Sequence, residues 1–236
     1  MKHKFMIALI LAAFLIGGFG STIAEAGAYD ASFVTSITYQ NVGPGTTETL
    51  VIHFYDENNG TAITIDRPDL PSMAGTSVFV GNLNELDPGF KGSATISSDQ
   101  PLVATLVQVP KPGSGVKVRP LSNGFSSGSD YVLIPTALKA TFDANSIISV
   151  QNIDKIAADL ELVFVPVIGT PVPIEFNDLP AYATKYFDLG QMSELGTEFN
   201  GSVQIYAFEA GTANPGAVIA SIMELKIVQA GEYAFE

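Results

Sequence analysis

The sequence of 236 residues contains no cysteine and no tryptophan, and its only histidines are His3 and His53. Without cysteine, a disulfide framework, a thiolate zinc site, an iron–sulfur cluster and a cysteine nucleophile are excluded. Without tryptophan, the usual aromatic platform for binding sugars is missing. Charged residues make up only 15% of the chain and hydrophobic residues 47%, which indicates packed cores rather than disorder.

The charge that is present is mostly negative. Eleven lysines and arginines face 24 aspartates and glutamates, which gives a formal net charge of −13. Residues 1–26 carry two lysines and one glutamate, so the chain without them has a net charge of −14. This excess disfavours nucleic acid and anionic membrane surfaces as partners. It is typical of a soluble exported protein, and it also suits one that meets divalent cations.

The N-terminus has the three parts of a secretory signal. Basic residues occupy positions 2–4, an apolar run covers residues 5–16, and Ala24 and Ala26 give the small-x-small pattern of a cleavage site. We therefore predict a signal peptide over residues 1–26, a mature chain that starts at Gly27, and a secreted or cell-surface location without membrane insertion after cleavage. A retained anchor is disfavoured because the apolar run is short for a membrane span.

Six landmarks of the chain recur once, at a nearly constant spacing that matches a whole small domain. They are Gln40-Asn41 and Gln151-Asn152, Phe54 and Phe164, Asp69-Leu70-Pro71 and Asp178-Leu179-Pro180, Glu85-Leu86 and Glu194-Leu195, Phe90-x-Gly92-Ser93 and Phe199-x-Gly201-Ser202, and Pro101 and Pro215. We interpret this pattern as an internal duplication.

Each half shows the period of two that is typical of strands. Leu50, Ile52 and Phe54 alternate with other residues in the first half, as do Leu160 and Leu162 in the second. Turn signals separate these runs. The sequence therefore predicts an all-β fold of two tandem immunoglobulin-like β-sandwich domains, over residues 27–110 and 129–236, joined by a linker over residues 111–128.

A set of motifs resembles the tandem immunoglobulin-like β-sandwich repeats of secreted and cell-surface proteins of filamentous bacteria. The motifs are Asn123-Gly-Phe-Ser-Ser-Gly before Tyr131-Val-Leu-Ile-Pro135, Ser149-Val-Gln-Asn152, Phe54-Tyr55-Asp56 before Gly60, Gly89-Phe-Lys-Gly-Ser-Ala94, and Ser97-Ser-Asp-Gln-Pro-Leu102.

The resemblance covers residues 36–109 and 123–227, and the second copy departs from it in two places. Val165-Pro166 replaces the Tyr-Asp pair, and residues 209–214 replace the Ser-Ser-Asp-Gln turn. The resemblance implies an extracellular immunoglobulin-like module. It brings no catalytic residues with it.

The two halves differ at their starts. The second half has a leading strand, Tyr131 to Ile134, well before its Gln-Asn pair, whereas the first has only the weakly apolar residues 27–35. Either Ala31 to Val34 serves as a short first strand, or the first sandwich has a poorly covered edge. An open edge would invite strand addition by another chain.

Metal and catalytic candidates are few. Asp56 and Asn58 precede Gly60 as oxygen ligands do in a calcium loop, but a downstream bidentate glutamate is missing and Asn59-Gly60 is a common hairpin turn. His53 alone does not form a catalytic triad. We predict neither an enzyme nor a cofactor.

Tyrosines are the remaining candidates for ligand binding. Tyr39, Tyr55, Tyr182 and Tyr206 could present rings to a glycan, although cross-strand packing explains them equally well. The sequence predicts a secreted, non-enzymatic structural or adhesive protein whose partners are copies of itself or other cell-surface components. A soluble carbohydrate- or ligand-binding module is the alternative.

Overall fold

A computed structural model of the chain describes residues 33–57, 59–111, 119–228 and 231–235. The fold is all-β, and the described strands form four antiparallel sheets. The strands are β1 (Phe33–Asn41), β2 (Leu50–Asp56), β3 (Ala62–Asp66), β4 (Gly75–Phe79), β5 (Gly92–Ser98), β6 (Leu102–Pro110), β7 (Leu121–Asn123), β8 (Tyr131–Lys139), β9 (Ala144–Asn152), β10 (Ala158–Pro166), β11 (Val172–Leu179), β12 (Thr184–Asp188), β13 (Phe199–Glu209), β14 (Val218–Val228) and β15 (Gly231–Phe235). Single 3₁₀ turns lie at Val80–Asn82, Leu189–Gln191 and Ser193–Leu195.

The N-terminal half, β1 to β7, contains one sheet with the order β4-β1-β6-β7 and another with the order β3-β2-β5. The two sheets share one hydrophobic core, as the layers of a β-sandwich do. Ile52 and Phe54 of β2 are almost fully buried in that core, whereas His53 between them is only partly buried. This confirms the alternation expected of β2.

The C-terminal half, β8 to β15, contains sheets with the orders β12-β9-β14-β15 and β11-β10-β13-β8. In its core, Leu160, Leu162 and Phe164 of β10 are at most 2% exposed. The strand orders of the two halves correspond, with β1, β2, β5 and β6 in the places of β9, β10, β13 and β14. The exception is β8, because no described strand of the N-terminal half stands in its place.

Asn41 and Asn152 hold corresponding loops in the same way. The side chain of Asn41 donates to the carbonyls of Gly45 and Leu70 and accepts from the amide of Gly43. The side chain of Asn152 donates to the carbonyls of Ile156, Leu179 and Pro180 and accepts from the amide of Asp154. Both asparagines are fully buried. The recurring Gln-Asn pairs are therefore structural positions, since each closes a loop against the Asp-Leu-Pro segment.

A phenylalanine pair and a close glycine also occur in both halves. Phe54 and Phe90 meet edge to face with ring centroids 6.0 Å apart, and Phe164 and Phe199 do so at 5.8 Å. A Cβ on either Gly92 or Gly201 would overlap the carbonyl oxygen of the adjacent strand, Tyr55 or Val165 respectively. Only glycine allows this approach, which explains why Phe-x-Gly-Ser appears twice.

The structure corrects the expectation of a short first strand and describes only part of the predicted linker. Ala31 to Val34 does not supply a separate first strand beside β5, because Phe33 and Val34 begin β1, which pairs with β6 and β4 in the other sheet. Ala31 lies outside the described residues. Within the segment predicted as a linker, β7 pairs with β6, and residues 112–118 lie outside the described part.

Candidate functional site

The edge of β5 is the first candidate site. Among the described residues, β5 pairs with β2 on one side and with no strand on the other. Its counterpart β13 lies between β10 and β8. A strand edge without a partner presents a row of amide and carbonyl groups to another chain.

Backbone hydrogen bonds at both ends of β5 show which residues face the open side. The amide of Glu57 donates to the carbonyl of Lys91, and the amide of Asp99 donates to the carbonyl of Thr49. Residues 91 and 99 therefore point toward β2, as do the odd residues between them. The amide and carbonyl groups of the even residues point to the open edge, and these residues are Gly92, Ala94, Ile96 and Ser98.

The inward side chains of β5 are less covered than those of β13. Ala94 and Ile96 are partly buried, whereas Val203 and Ile205, which pair with β8, are fully buried. β8 itself adds Ile134 to the core of the C-terminal half. The N-terminal half has no described equivalent of this strand, so apolar surface between its two sheets stays accessible.

The edge of β5 also carries few of the features that protect edge strands. It has seven residues, Gly-Ser-Ala-Thr-Ile-Ser-Ser, with neither a charge nor a proline. Other edge strands carry one or both: β3, β8, β11, β12 and β15. β4 and β7 carry neither but are shorter. β5 is thus the longest uncharged and proline-free edge in the described part of the chain.

The contact between the two halves is the second notable feature. The rings of Tyr55 and Tyr182 stack with centroids 5.1 Å apart and planes 23° apart. Beside them, the backbone of Gly60 at the β2–β3 turn packs against the carbonyl of Ala181, where a Cβ would overlap. Gly60 has a φ of 60°, so glycine is favoured there both by the turn and by the contact.

Tyr186 of β12 connects the contact to the edge of β5. Its hydroxyl donates to the carbonyl of Gly92 over 2.6 Å, and the ammonium of Lys91 lies 4.9 Å from the centre of its ring. Phe33, at the start of β1, packs with Tyr186 in a small core formed mainly by the C-terminal half. One end of the open edge is therefore capped by the other half of the same chain. Within the described residues, no hydrogen bond reaches the outward backbone groups of residues 94–98.

The structure separates the four tyrosines that the sequence singled out. Tyr39 is 1% exposed in the core of the N-terminal half, and this burial removes it as a platform for a ligand. Tyr206 lies 5.0 Å from Tyr131 within the C-terminal half, measured between ring centroids. Only Tyr55 and Tyr182 meet, and they do so by stacking on each other.

Sequence reasoning did not single out Tyr186 as a functional residue. Its counterpart by strand register in the N-terminal half is Ser77, since Tyr186 pairs with Ser149 and Ser77 pairs with Thr38. A signal was available in the comparison of the two halves, because a large aromatic residue stands where the other half has a serine. The chemistry of Tyr186 alone gives no indication of its partner.

The calcium candidates are only partly described. Asp56 ends β2, and Asn58 lies outside the described residues. The next residue, Glu57, forms an ion pair with Lys91 at 3.5 Å. Within the described ranges, no group of three or more histidine, aspartate or glutamate side chains is placed to hold a metal ion.

Among the described residues, the carboxyl groups of Asp99, Asp159 and Glu224 have shifted pKa values. Hydrogen bonds from the amides of Thr49 and Glu48 hold the pKa of Asp99 below its usual value, and the amides of Gly211 and Asp178 do the same for Asp159. Burial raises the pKa of Glu224.

His53 is hydrogen-bonded to the neighbouring strand. Its Nδ1 atom lies 3.0 Å from the hydroxyl oxygen of Thr64.

One end of the C-terminal half carries exposed apolar side chains. Phe142, Val167 and Ile168 are 72%, 73% and 92% exposed. They lie on the β8–β9 and β10–β11 turns, which both flank the start of β13, because Thr141 bonds to the carbonyl of Phe199 and the amide of Val167 bonds to the carbonyl of Asn200. We call Phe142, Val167 and Ile168 the apolar tip. Exposed apolar groups of this kind often mark contact surfaces.

Three comparisons with known proteins were without a match. No protein-family model, curated protein or solved structure matches the chain. In the part of the chain that the structure describes, no helix is long and apolar enough to cross a membrane.

Proposed function

We propose that the chain is an exported, non-enzymatic structural or adhesive protein of the cell surface or the extracellular material. It consists of two immunoglobulin-like sandwiches that arose by duplication. Support for the duplication comes from the matching roles of Asn41 and Asn152 and from the two phenylalanine pairs. A protein of this kind acts through edges, loops and a stable shape rather than through a reacting group.

The observation that carries this proposal is the direct packing of the two halves. Tyr55 stacks on Tyr182, Tyr186 bonds to Gly92, and Phe33 packs into the C-terminal half. These contacts hold the two sandwiches in a defined relative orientation instead of leaving them free on a linker. Such rigidity favours a role as a spacer or building block, because the distance between the two ends is fixed.

The apolar tip supports the adhesive part of the proposal. Its three side chains lie on turns at one end of the C-terminal half. Their burial against a partner would remove apolar surface from water, which is favourable in free energy. The partners expected for the apolar tip are other cell-surface components. A carbohydrate-binding module remains the alternative function, and it draws less support from the structure because Tyr39 is buried and Tyr55 and Tyr182 pack together.

Export and surface retention test the proposal directly. The full chain is expressed in a bacterial host, and the cytosol, the cell envelope and the medium are probed for it. The expected result is a chain in the envelope or medium whose intact mass corresponds to a start at Gly27. A variant with Ala26→Leu should retain the mass of the first 26 residues, because leucine blocks the small-residue cleavage position.

Retention then separates the two functions. A structural or adhesive protein should bind envelope material from the host, and soluble polysaccharides should not displace it. Displacement by one polysaccharide would favour the carbohydrate-binding alternative. A chain that stays in the cytosol with its first 26 residues attached would overturn the proposal.

A further inference from the structure

The open edge of β5 is symmetric in its hydrogen-bonding groups. The carbonyl of Gly92 already accepts from Tyr186. Further along the edge, the outward amides and carbonyls belong to Ala94, Ile96 and Ser98, three residues centred on Ile96. An antiparallel copy of the same strand, related by a two-fold axis at Ile96, would place Ala94 opposite Ser98 and Ile96 opposite Ile96, and the outward groups of these three residues would all be paired.

The chain cannot cover this edge with its own N-terminus once the predicted cleavage has occurred. In the C-terminal half, residues 140–143 turn the chain from β8 into β9. The recurring Gln-Asn pairs are 111 positions apart, so the counterpart of β8 would be residues 20–28. Cleavage after Ala26 leaves six residues, 27–32, before β1. A turn of the same length leaves two of them, which is too few to pair along the edge.

We propose that the edge of β5 is completed by β5 of a second copy of this chain, which forms a two-fold symmetric dimer. This inference rests on the proposed function, since a structural subunit gains its role by association. The sheet then runs as β3-β2-β5-β5-β2-β3 through the dimer. Interfaces of this self-complementary type are the commonest basis of soluble dimers.

Charge does not oppose the pairing at the contact itself, although the chain as a whole is strongly acidic. Residues 92–98 carry no charge. Asp99 would lie opposite Ser93 of the second copy, and its carboxylate already accepts from the amides of Glu48 and Thr49. Repulsion between the two acidic bodies is a long-range effect that salt screens, so association should strengthen as ionic strength rises.

A preformed strand is a better occupant than the N-terminal segment of another copy. β5 is held in extended form by β2, so it loses little backbone freedom on pairing. Residues 27–32 offer only Tyr29 and Ala31 as larger apolar side chains in alternate positions. Each β5 also brings Ile96, whose partly exposed side chain faces the gap between the sheets.

Proline substitution tests the edge without removing a bond of the folded chain. The amide of Ala94 faces the open edge, so Ala94→Pro removes a donor of the intermolecular ladder only. Ala62→Pro is the matched control. Its amide faces the far edge of the same sheet, because Arg67 donates to Leu50 and residues of β3 alternate.

The exported chain and both variants are compared by light scattering over a range of concentrations. The expected result is a dimer for the wild type and for Ala62→Pro, with a dissociation constant at least about tenfold higher for Ala94→Pro. Circular dichroism melts confirm that both variants fold. A wild-type chain that is monomeric at every concentration, or two proline variants that behave alike, would overturn the proposal.

Cysteine pairing tests the register, since the chain has no cysteine of its own. A two-fold axis at Ile96 places Thr95 opposite Ser97 in a non-hydrogen-bonded pair, with Cα atoms about 4.5 Å apart, which suits a disulfide. Thr95→Cys mixed with Ser97→Cys should form a disulfide-linked heterodimer on mild oxidation. Rapid cross-linking of Thr95→Cys alone would place the axis elsewhere and contradict the proposed pairing.

Two further outcomes distinguish this inference from the proposed function. Loss of the dimer on deletion of residues 27–32 would identify the N-terminal segment as the occupant and overturn the pairing of β5 with itself. A monomer that is still exported and retained on the cell envelope would overturn the dimer and leave the structural or adhesive function standing.

Discussion

The rings of Tyr55 and Tyr182 stack on each other across the contact between the two halves, with centroids 5.1 Å apart. Tyr55 lies at the end of β2, and Tyr182 lies in the turn between β11 and β12 with a φ of 63°. A non-glycine residue in the left-handed region is uncommon, so the turn is held in this form by its surroundings. The pair is one of the contacts that join the two halves.

Removal of this stack should uncouple the two halves. Stacked aromatic pairs contribute about 0.5–1.5 kcal/mol beyond the area that they bury. We expect Tyr182→Ala to lower the free energy of unfolding by at least about 1 kcal/mol and to split one thermal transition into two, as measured by calorimetry. Tyr131→Ala is the control, because Tyr131 contacts Tyr206 inside the C-terminal half. Equal behaviour of the two variants would argue against coupling through the stack.

The two buried asparagines should be equivalent in their effect on stability. Asn41→Ala leaves the carbonyls of Gly45 and Leu70 and the amide of Gly43 without their side-chain partner, and Asn152→Ala does the same in the other half. Each change should cost about 2–4 kcal/mol, since unsatisfied buried groups are expensive. The measurement is urea denaturation.

An exposed asparagine provides the control for this comparison. Asn177 is exposed, so Asn177→Ala should change the unfolding free energy by less than about 0.5 kcal/mol. Destabilisation by only one of the two buried substitutions would show that the halves do not use their Gln-Asn pairs alike.

Asp159 and Glu224 should give stability profiles of opposite sign with pH. Amides of Gly211 and Asp178 hold the pKa of Asp159 below its unfolded value, so its stabilisation is present above that value and is lost as pH falls through the folded pKa. Burial raises the pKa of Glu224, so its stabilisation is present below the unfolded value and is lost as pH rises through the folded pKa.

Substitution separates these two carboxyl groups in urea melts between pH 3 and pH 7. Asp159→Ala should be less stable than the wild type near neutral pH and approach it in acid. Glu224→Gln should be more stable than the wild type near neutral pH and lose that advantage in acid. A constant difference across the range for either variant would contradict the assigned shift.

The apolar tip should contribute to surface adhesion and little to folding. Val167→Ser combined with Ile168→Ser removes two side chains that are 73% and 92% exposed, so the melting temperature should change by only a few degrees. Retention on envelope material should fall by about tenfold or more if the tip makes the contact. Met73→Ser is the control, because Met73 is 65% exposed in the N-terminal half. Unchanged retention would remove the tip from the account.

Local patterns in the sequence were enough to predict the strands but not their partners. The alternation at Ile52 and Phe54 predicts a strand with one buried face, and the structure confirms it. Burial of alternate residues depends only on the period of the strand, which neighbouring residues reveal. The sequence alone does not decide whether the first half has a covered or an open edge, because strand pairing joins residues that are far apart in sequence.

The contact between the halves could not be predicted for the same reason. Tyr186 and Gly92 are 94 positions apart, and neither has a neighbour that indicates the other. Among the tyrosines, residue type alone does not separate Tyr39, which is buried in a core, from a ring that faces solvent. Packing between sheets decides these roles, and it follows from the whole fold.

The most direct test of the account is the molar mass of the exported chain, measured by light scattering over a range of concentrations, with and without millimolar calcium. Pairing of the β5 edges should give a dimer that forms as concentration rises. Ala94→Pro should weaken this dimer, and calcium should leave it unchanged. A monomer throughout would contradict association through the β5 edge, and a dimer that requires calcium would point to the loop that follows Asp56 instead.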